Sequence, residues 1–159
     1  MSLKYFVELP YDDVDVISSE IYKFLETDTN LINSDKFGWN FIDCKTLLNN
    51  APALLDFFKI YKLVPRHSAI TIVADNTHLP KHVDELPVIA KINFPVINVQ
   101  VWANRWYEND QLAAELLDMK QPIVFNSQVA HSVEKTTATI VPRIVASFTF
   151  HNEPLDLLK

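Results

Sequence analysis

A chain of 159 residues is the size of one domain and long enough to bury a sizeable core. Its hydrophobic content of 48% and charged content of 21% are ordinary for a globular protein, and a formal net charge of −6 leaves no electrostatic footprint for nucleic acid. The one glycine, Gly38, excludes Gly-rich phosphate loops and the dinucleotide fingerprint, while the one cysteine, Cys44, excludes an internal disulfide and suits a reducing compartment.

In chain order, the opening stretch MSLKYFVELPYDDVDV lacks the sustained apolar core of a signal peptide, and no later run is long enough to cross a bilayer. A soluble cytoplasmic protein with no membrane partner is expected. Val14, Ile17, Ile21, Phe24 and Leu25 recur at helical spacing, with Asp12 and Asp13 placed to favour the positive end of a helix dipole. A second helix is predicted in NNAPALLDFFKIYKL, where Leu54, Leu55, Phe58 and Tyr61 repeat the pattern and Pro52 fits the first turn. Residues 1–65 therefore read as mainly helical.

After Pro65 the composition turns to β-branched and aromatic residues in short runs: HSAITIVA, VIAKINF, VINVQVW, PIVFNS and TATIVPRIVASFTF are predicted strands. Between them, DNTHLPKHVDELP, ENDQLAAELLDM (read as a helical turn) and VEKTT are predicted connections. Helices first and strands after suit an antiparallel barrel or sandwich, here a mainly β jelly roll over residues 66–151 with the N-terminal helices packed on the barrel. The whole, 1–159, is expected to form a single domain.

Two stretches carry polar groups that a simple core would not need. In LPKHVDELP, His82 and Asp84 are two apart, so in extended backbone both side chains leave one face; His131 lies far along the chain. Two imidazoles and a carboxylate on a single face suit iron(II) with three coordination positions left open, although His-x-Asp alone is a weak motif. In the last predicted strand, alternation puts Val141, Arg143, Val145, Ser147 and Thr149 on one face, with Ile144, Ala146, Phe148 and Phe150 on the other. A guanidinium fork with a hydroxyl nearby could hold a dicarboxylate, or Arg143 could bridge to an internal acid. His67, His78 and His151 read as surface or structural residues, and Trp102, Trp106 and Tyr107 as packing of their loop onto the core in preference to an aromatic rim at the pocket mouth.

His82-x-Asp84, then His131, then Arg143-x-x-x-Ser147 resemble the iron(II)- and 2-oxoglutarate-dependent oxygenases of the double-stranded β-helix, a cupin-like jelly roll. The resemblance covers about residues 67–150. AHSVEKTT…PRIVASFTF is similar to the second-histidine region of small aspartyl/asparaginyl and prolyl hydroxylase-like members, phage and bacterial ones included, and KHVDE…KINFPVIN to their first-histidine region. It implies Fe(II) held by His82, Asp84 and His131, with 2-oxoglutarate as co-substrate and its distal carboxylate on Arg143 and Ser147. The reaction implied is hydroxylation of a small molecule or peptide side chain. Lys91 stands where relatives often carry arginine, and Lys135 where they often carry asparagine.

Asn98, Gln100 and Trp102 alternate onto one face of their predicted strand, where the two amides could hydrogen-bond the co-substrate. Lys91 and Asn93 likewise share a face and could meet an acidic or amide substrate. Two other readings stand beside the oxygenase: a non-catalytic jelly-roll binding protein, and a cupin-like metal enzyme that uses no 2-oxoglutarate. The presence of His82, Asp84 and His131 together favours the oxygenase.

Overall fold

The computed structural model describes residues 4–27, 38–74 and 77–159. The chain is mainly β, in two antiparallel sheets of jelly-roll-like arrangement. The larger is built from β1 (Phe6–Glu8), β2 (Gly38–Ile42), β3 (Pro65–Val73), β5 (Ala90–Ile97), β8 (Ile123–Asn126) and β10 (Arg143–Phe150), in the order β1-β8-β5-β10-β3-β2. The smaller contains β4 (Leu79–His82), β6 (Trp102–Glu108), β7 (Gln111–Leu117) and β9 (Ala130–Lys135), in the order β4-β9-β6-β7.

The helices cover the outer face of the larger sheet. α1 (Val14–Glu26) buries Val14, Ile17, Ile21 and Leu25, the stripe that the spacing predicts, and α3 (Pro52–Ile60) starts with its proline in the first turn. Between them lies a short helix that periodicity did not reveal, α2 (Cys44–Asn50), capped by the Asp43 carboxylate accepting from the Thr46 N–H at 2.8 Å. Ile17, Ile21, Leu47, Leu54, Phe57 and Phe58 join Ile70, Ile72, Ile92, Phe94, Ile144, Ala146, Phe148 and Phe150 in one core. β10 thus alternates as expected: its even-numbered residues face the helices and its odd-numbered ones face the smaller sheet. No helix among the described residues is long and apolar enough to cross a membrane.

Several predicted elements are corrected. ENDQLAAELLDM is no helical turn: Gln111–Leu117 is strand β7, joined to β6 by Asn109 and Asp110 at φ 49° and 62°. Left-handed conformation at both central residues is the type I′ hairpin signature, which asparagine and aspartate tolerate. VIAKINF and VINVQVW do not form two strands but one, β5, which runs through Pro95 and stops at Ile97. Pro95 is tolerated because the pairing with β10 shifts register beside it, between Ile144 and Val145. Leu79–His82 and Val133–Lys135, predicted as connections, are strand, and the last strand begins only at Arg143.

The helix layer is locked on by aromatic rings: Phe58 has centroids 5.0 to 5.7 Å from those of Phe57, Phe94, Phe148 and Phe150. Phe58→Ala is expected to cost about 3–5 kcal/mol of stability, as a large buried ring lost from a packed core does. Urea denaturation should show a lower midpoint at unchanged slope; a loss under about 1 kcal/mol would contradict this packing.

Candidate metal centre

Strand register lays out the site. β4 pairs with β9 so that His82 stands opposite His131, and β9 pairs with β6 so that His131 stands opposite Trp106. Opposed residues on antiparallel strands project to the same face, so the three form a row across the smaller sheet. The imidazole centroids of His82 and His131 are 4.3 Å apart. His82 Nδ1 lies 2.8 Å from the Pro80 carbonyl oxygen and His131 Nδ1 2.8 Å from that of Val129. A carbonyl only accepts, so each ring carries its proton on Nδ1 and keeps the lone pair on Nε2. Burial pushes the His131 pKa below the ordinary imidazole value against the opposing pull of the Val129 carbonyl, favouring the neutral form that binds a metal.

Asp84 completes the cluster: one donor atom from each of His82, Asp84 and His131 lies within 4.8 Å of the others. Strand alternation is not what brings it there, because β4 ends at His82 and Asp84 lies in the following loop. That loop is fastened to the β8–β9 turn. The Asp84 N–H donates to the Ser127 carbonyl at 3.0 Å, and Gln128 Nε2 donates to the carbonyls of Asp84 at 3.0 Å and Val88 at 2.7 Å. The same turn supplies the Val129 carbonyl that orients His131. Lys91 Nζ sits 2.8 Å from Asp84 Oδ2, near enough for an ion pair but poorly aligned for a hydrogen bond.

Arg143 faces the smaller sheet from β10 and is only 1% exposed. Its Nη2 donates to Asn104 Oδ1 at 2.9 Å, its Nε has no acceptor, and no carboxylate among the described residues pairs with it. Burial alone lowers its pKa to about 10, which still leaves it charged at neutral pH. Ser147 shares the face, as alternation requires, but four residues along a strand is about 13 Å, too far to close on one carboxylate with Arg143. Its hydroxyl instead donates to Asn93 Oδ1 at 2.7 Å.

Asn98 and Gln100 are not brought to the site. Asn98 takes a left-handed φ of 52° after β5 ends, and its Nδ2 turns to Thr139 Oγ1 and the Val141 carbonyl. Both residues line a separate cleft beside the start of α1. His67, His78 and His151 are exposed and outside the three-residue cluster. Trp102 and Trp106 are buried packing residues, while Tyr107 reaches Ser132 Oγ at 3.0 Å.

Both sheets line a narrow cavity of about 40 Å³ that contains His82, Asp84, His131, Arg143, Asn104 and Trp106. Trp39, His82, Asp84, Lys91 and Ser147 also line an outer groove of about 420 Å³, whose apolar wall includes Trp39, Phe41 and Val83. Sequence reasoning missed Asn104, Ser127 and Gln128, and favoured packing over a pocket rim for Trp106, which both packs and lines the inner cavity. An isolated amide or hydroxyl carries no periodic signal, and their importance follows only from which strands pair.

No protein-family model and no curated protein matches the sequence. Solved structures do. A prolyl-4-hydroxylase from Pseudomonas putida superposes with a TM-score of 0.60 at 14% identity, over 92% of each chain. HygX from Streptomyces hygroscopicus, solved with nickel and 2-oxoglutarate bound, gives 0.59 at 10% identity over 92% of this chain and 82% of its own. SnoK, a non-heme α-ketoglutarate-dependent carbocyclase from nogalamycin biosynthesis, gives 0.58 at 10% identity over 92% and 79%. At such identities the likeness is one of fold: this chain has the fold of the iron(II)- and 2-oxoglutarate-dependent oxygenases.

Proposed function

We propose that the protein is an iron(II)- and 2-oxoglutarate-dependent oxygenase that hydroxylates a small molecule or a peptide side chain. The observation that carries the proposal is a pairing of two features in one cavity. Two imidazoles with free Nε2 lone pairs converge with a carboxylate, and a buried guanidinium nearby has no acid paired with it among the described residues. The first fits a divalent metal with open positions, and the second fits the far carboxylate of a co-substrate. HygX binds 2-oxoglutarate and a metal in the same fold, which supports the reading. A metal enzyme using no dicarboxylate would leave the charge of Arg143 without a purpose.

On this reading the two sheets are the halves of a double-stranded β-helix, the helical segment before residue 65 stiffens it, and the whole chain works as one domain in the cytoplasm. His82, Asp84 and His131 would hold iron(II), and Arg143 would hold 2-oxoglutarate. Iron, co-substrate and dioxygen together supply the oxidation, with 2-oxoglutarate leaving as succinate and carbon dioxide while one oxygen atom enters the substrate C–H bond. The protein's own part is ligation, orientation and exclusion of water. The carbonyls of Pro80 and Val129 fix the ring tautomers, and the Ser127–Gln128 turn fixes the backbone that carries Asp84. Lys91 restrains the carboxylate from its second oxygen. Phe125, whose ring centroid is 5.2 Å from that of His131, and Trp106 keep the inner wall apolar. The substrate would approach through the outer groove, which opens on His82 and Asp84.

Iron(II) should bind once per chain, and His131→Ala should abolish that binding in anaerobic calorimetry. Gln128→Ala, which removes only the support of the Asp84 loop, should weaken iron affinity roughly 10-fold, as losses of outer partners to a metal site do. Unchanged affinity in both variants would remove these residues from the centre.

Protein supplied with iron(II) and 2-oxoglutarate should consume oxygen and release succinate slowly on its own and faster with its substrate. Asp84→Ala should release none while keeping a native circular dichroism spectrum. Iron and 2-oxoglutarate both bound, with no succinate above a metal-free control across a broad amino-acid and peptide panel, would favour a binding protein that retains only the fold.

The ligand-free stability of Arg143→Met should equal or exceed that of the parent by up to about 4 kcal/mol, because a buried charge with no partner ion is replaced by an apolar chain of similar length. Its 2-oxoglutarate affinity should be lost. A strongly destabilised variant would instead point to a structural role for the guanidinium.

A further inference from the structure

The residue opposite Arg143 is an amide, not an acid. Asn104, 5% exposed on β6, accepts from Arg143 Nη2 through its Oδ1 and leaves its own Nδ2 without an acceptor. Among the described residues that line the cavity, three buried donors lack partners: Arg143 Nε, Asn104 Nδ2 and Trp106 Nε1. Each orphaned donor is costly; two of them, Arg143 Nε and Asn104 Nδ2, belong to the hydrogen-bonded pair that carries the positive charge and suit an acceptor of negative charge. Register places them relative to the metal cluster: Trp106 stands opposite His131, and Asn104 is two residues, about 7 Å, further along β6. That spacing lets a short, slender dicarboxylate reach from one to the other.

We infer that Asn104 is the specificity-determining residue at the carboxylate end of the site. It is a neutral acceptor that holds the guanidinium in position without cancelling its charge, so that Arg143 requires an anionic ligand. The inference rests on the oxygenase reading for the identity of that ligand. An aspartate of the same shape would satisfy Arg143 internally, and it would also present an anion where Asn104 now offers a donor. Ligand demand and fold stability are thus set against each other at one side chain. A merely structural amide would behave in the opposite way, because its replacement by aspartate would leave ligand affinity unaltered or would destabilise the fold.

The test is Asn104→Asp, with the parent and Asn104→Ser, a smaller neutral acceptor, alongside. Thermal melts of metal-free, ligand-free protein and anaerobic calorimetry with iron(II) and then 2-oxoglutarate provide the readouts. Asn104→Asp should melt above the parent and bind 2-oxoglutarate on the order of 100-fold more weakly, since a like charge now meets the carboxylate. Its iron(II) affinity should stay within about 3-fold, because the metal ligands are untouched. Asn104→Ser should melt no higher than the parent and keep its 2-oxoglutarate affinity to within about 10-fold. Equal 2-oxoglutarate affinity in the parent and Asn104→Asp, or an Asn104→Asp protein that melts lower or fails to fold, would overturn the inference alone. A parent that binds iron but no 2-oxoglutarate would overturn the oxygenase reading on which it rests.

Discussion

The guanidinium of Arg143, enclosed between two sheets with a neutral amide as its hydrogen-bond partner, is the constraint on which the site depends. Burying a charge without a counter-charge is unfavourable by several kcal/mol even after local relaxation. The fold meets that cost elsewhere, in the aromatic and aliphatic layer that the helices press onto the outer face of the larger sheet. β10 carries both functions at once. Ile144, Ala146, Phe148 and Phe150 secure the strand to the helices, which lets Arg143 and Ser147 face the cavity from a rigid element.

The smaller sheet answers with a matching row. Pairing of β4, β9 and β6 sets His82, His131 and Trp106 side by side, and Asn104 one step along meets Arg143 across the gap. A one-residue slip in β9 would turn His131 to the opposite face and dismantle the cluster. Val133, on the same face of β9 as His131, is buried in one cluster with Leu79, Trp102 and Val73, so packing beside the site guards the alignment within it. The loop bearing Asp84 lacks such a ladder and relies on the Ser127–Gln128 turn instead, which ties the carboxylate to the same turn that orients His131.

How much of this could be read from the sequence follows from the physics of each signal. Helical spacing in α1 and α3 and strict alternation in β10 are periodic patterns imposed by burial, and the alternation alone puts Arg143 on the face of β10 turned away from the helices. His82 and Asp84 were paired correctly but for the wrong reason: a clamped loop does what an extended strand was expected to do. Asn98 and Gln100 were misplaced because alternation was carried through a left-handed turn that nothing but a tolerant asparagine announced. β7 was missed because an edge strand rich in leucine, alanine and glutamate has helical propensity, and cross-strand pairing overrides it. Asn104 could not have been picked out, since its meaning arises from a contact between residues 39 positions apart.

The central claim is that one cavity binds a metal at His82, Asp84 and His131 and a dicarboxylate at Arg143 at the same time. Crystals grown without oxygen in iron(II) and 2-oxoglutarate, with anomalous diffraction recorded at the iron edge, test it most directly. The account predicts a single anomalous peak in contact with Nε2 of both histidines and an oxygen of Asp84, and the far carboxylate of 2-oxoglutarate against the Arg143 guanidinium. An iron peak away from that triad, or a co-substrate carboxylate held elsewhere while Arg143 stays with Asn104 alone, would contradict it.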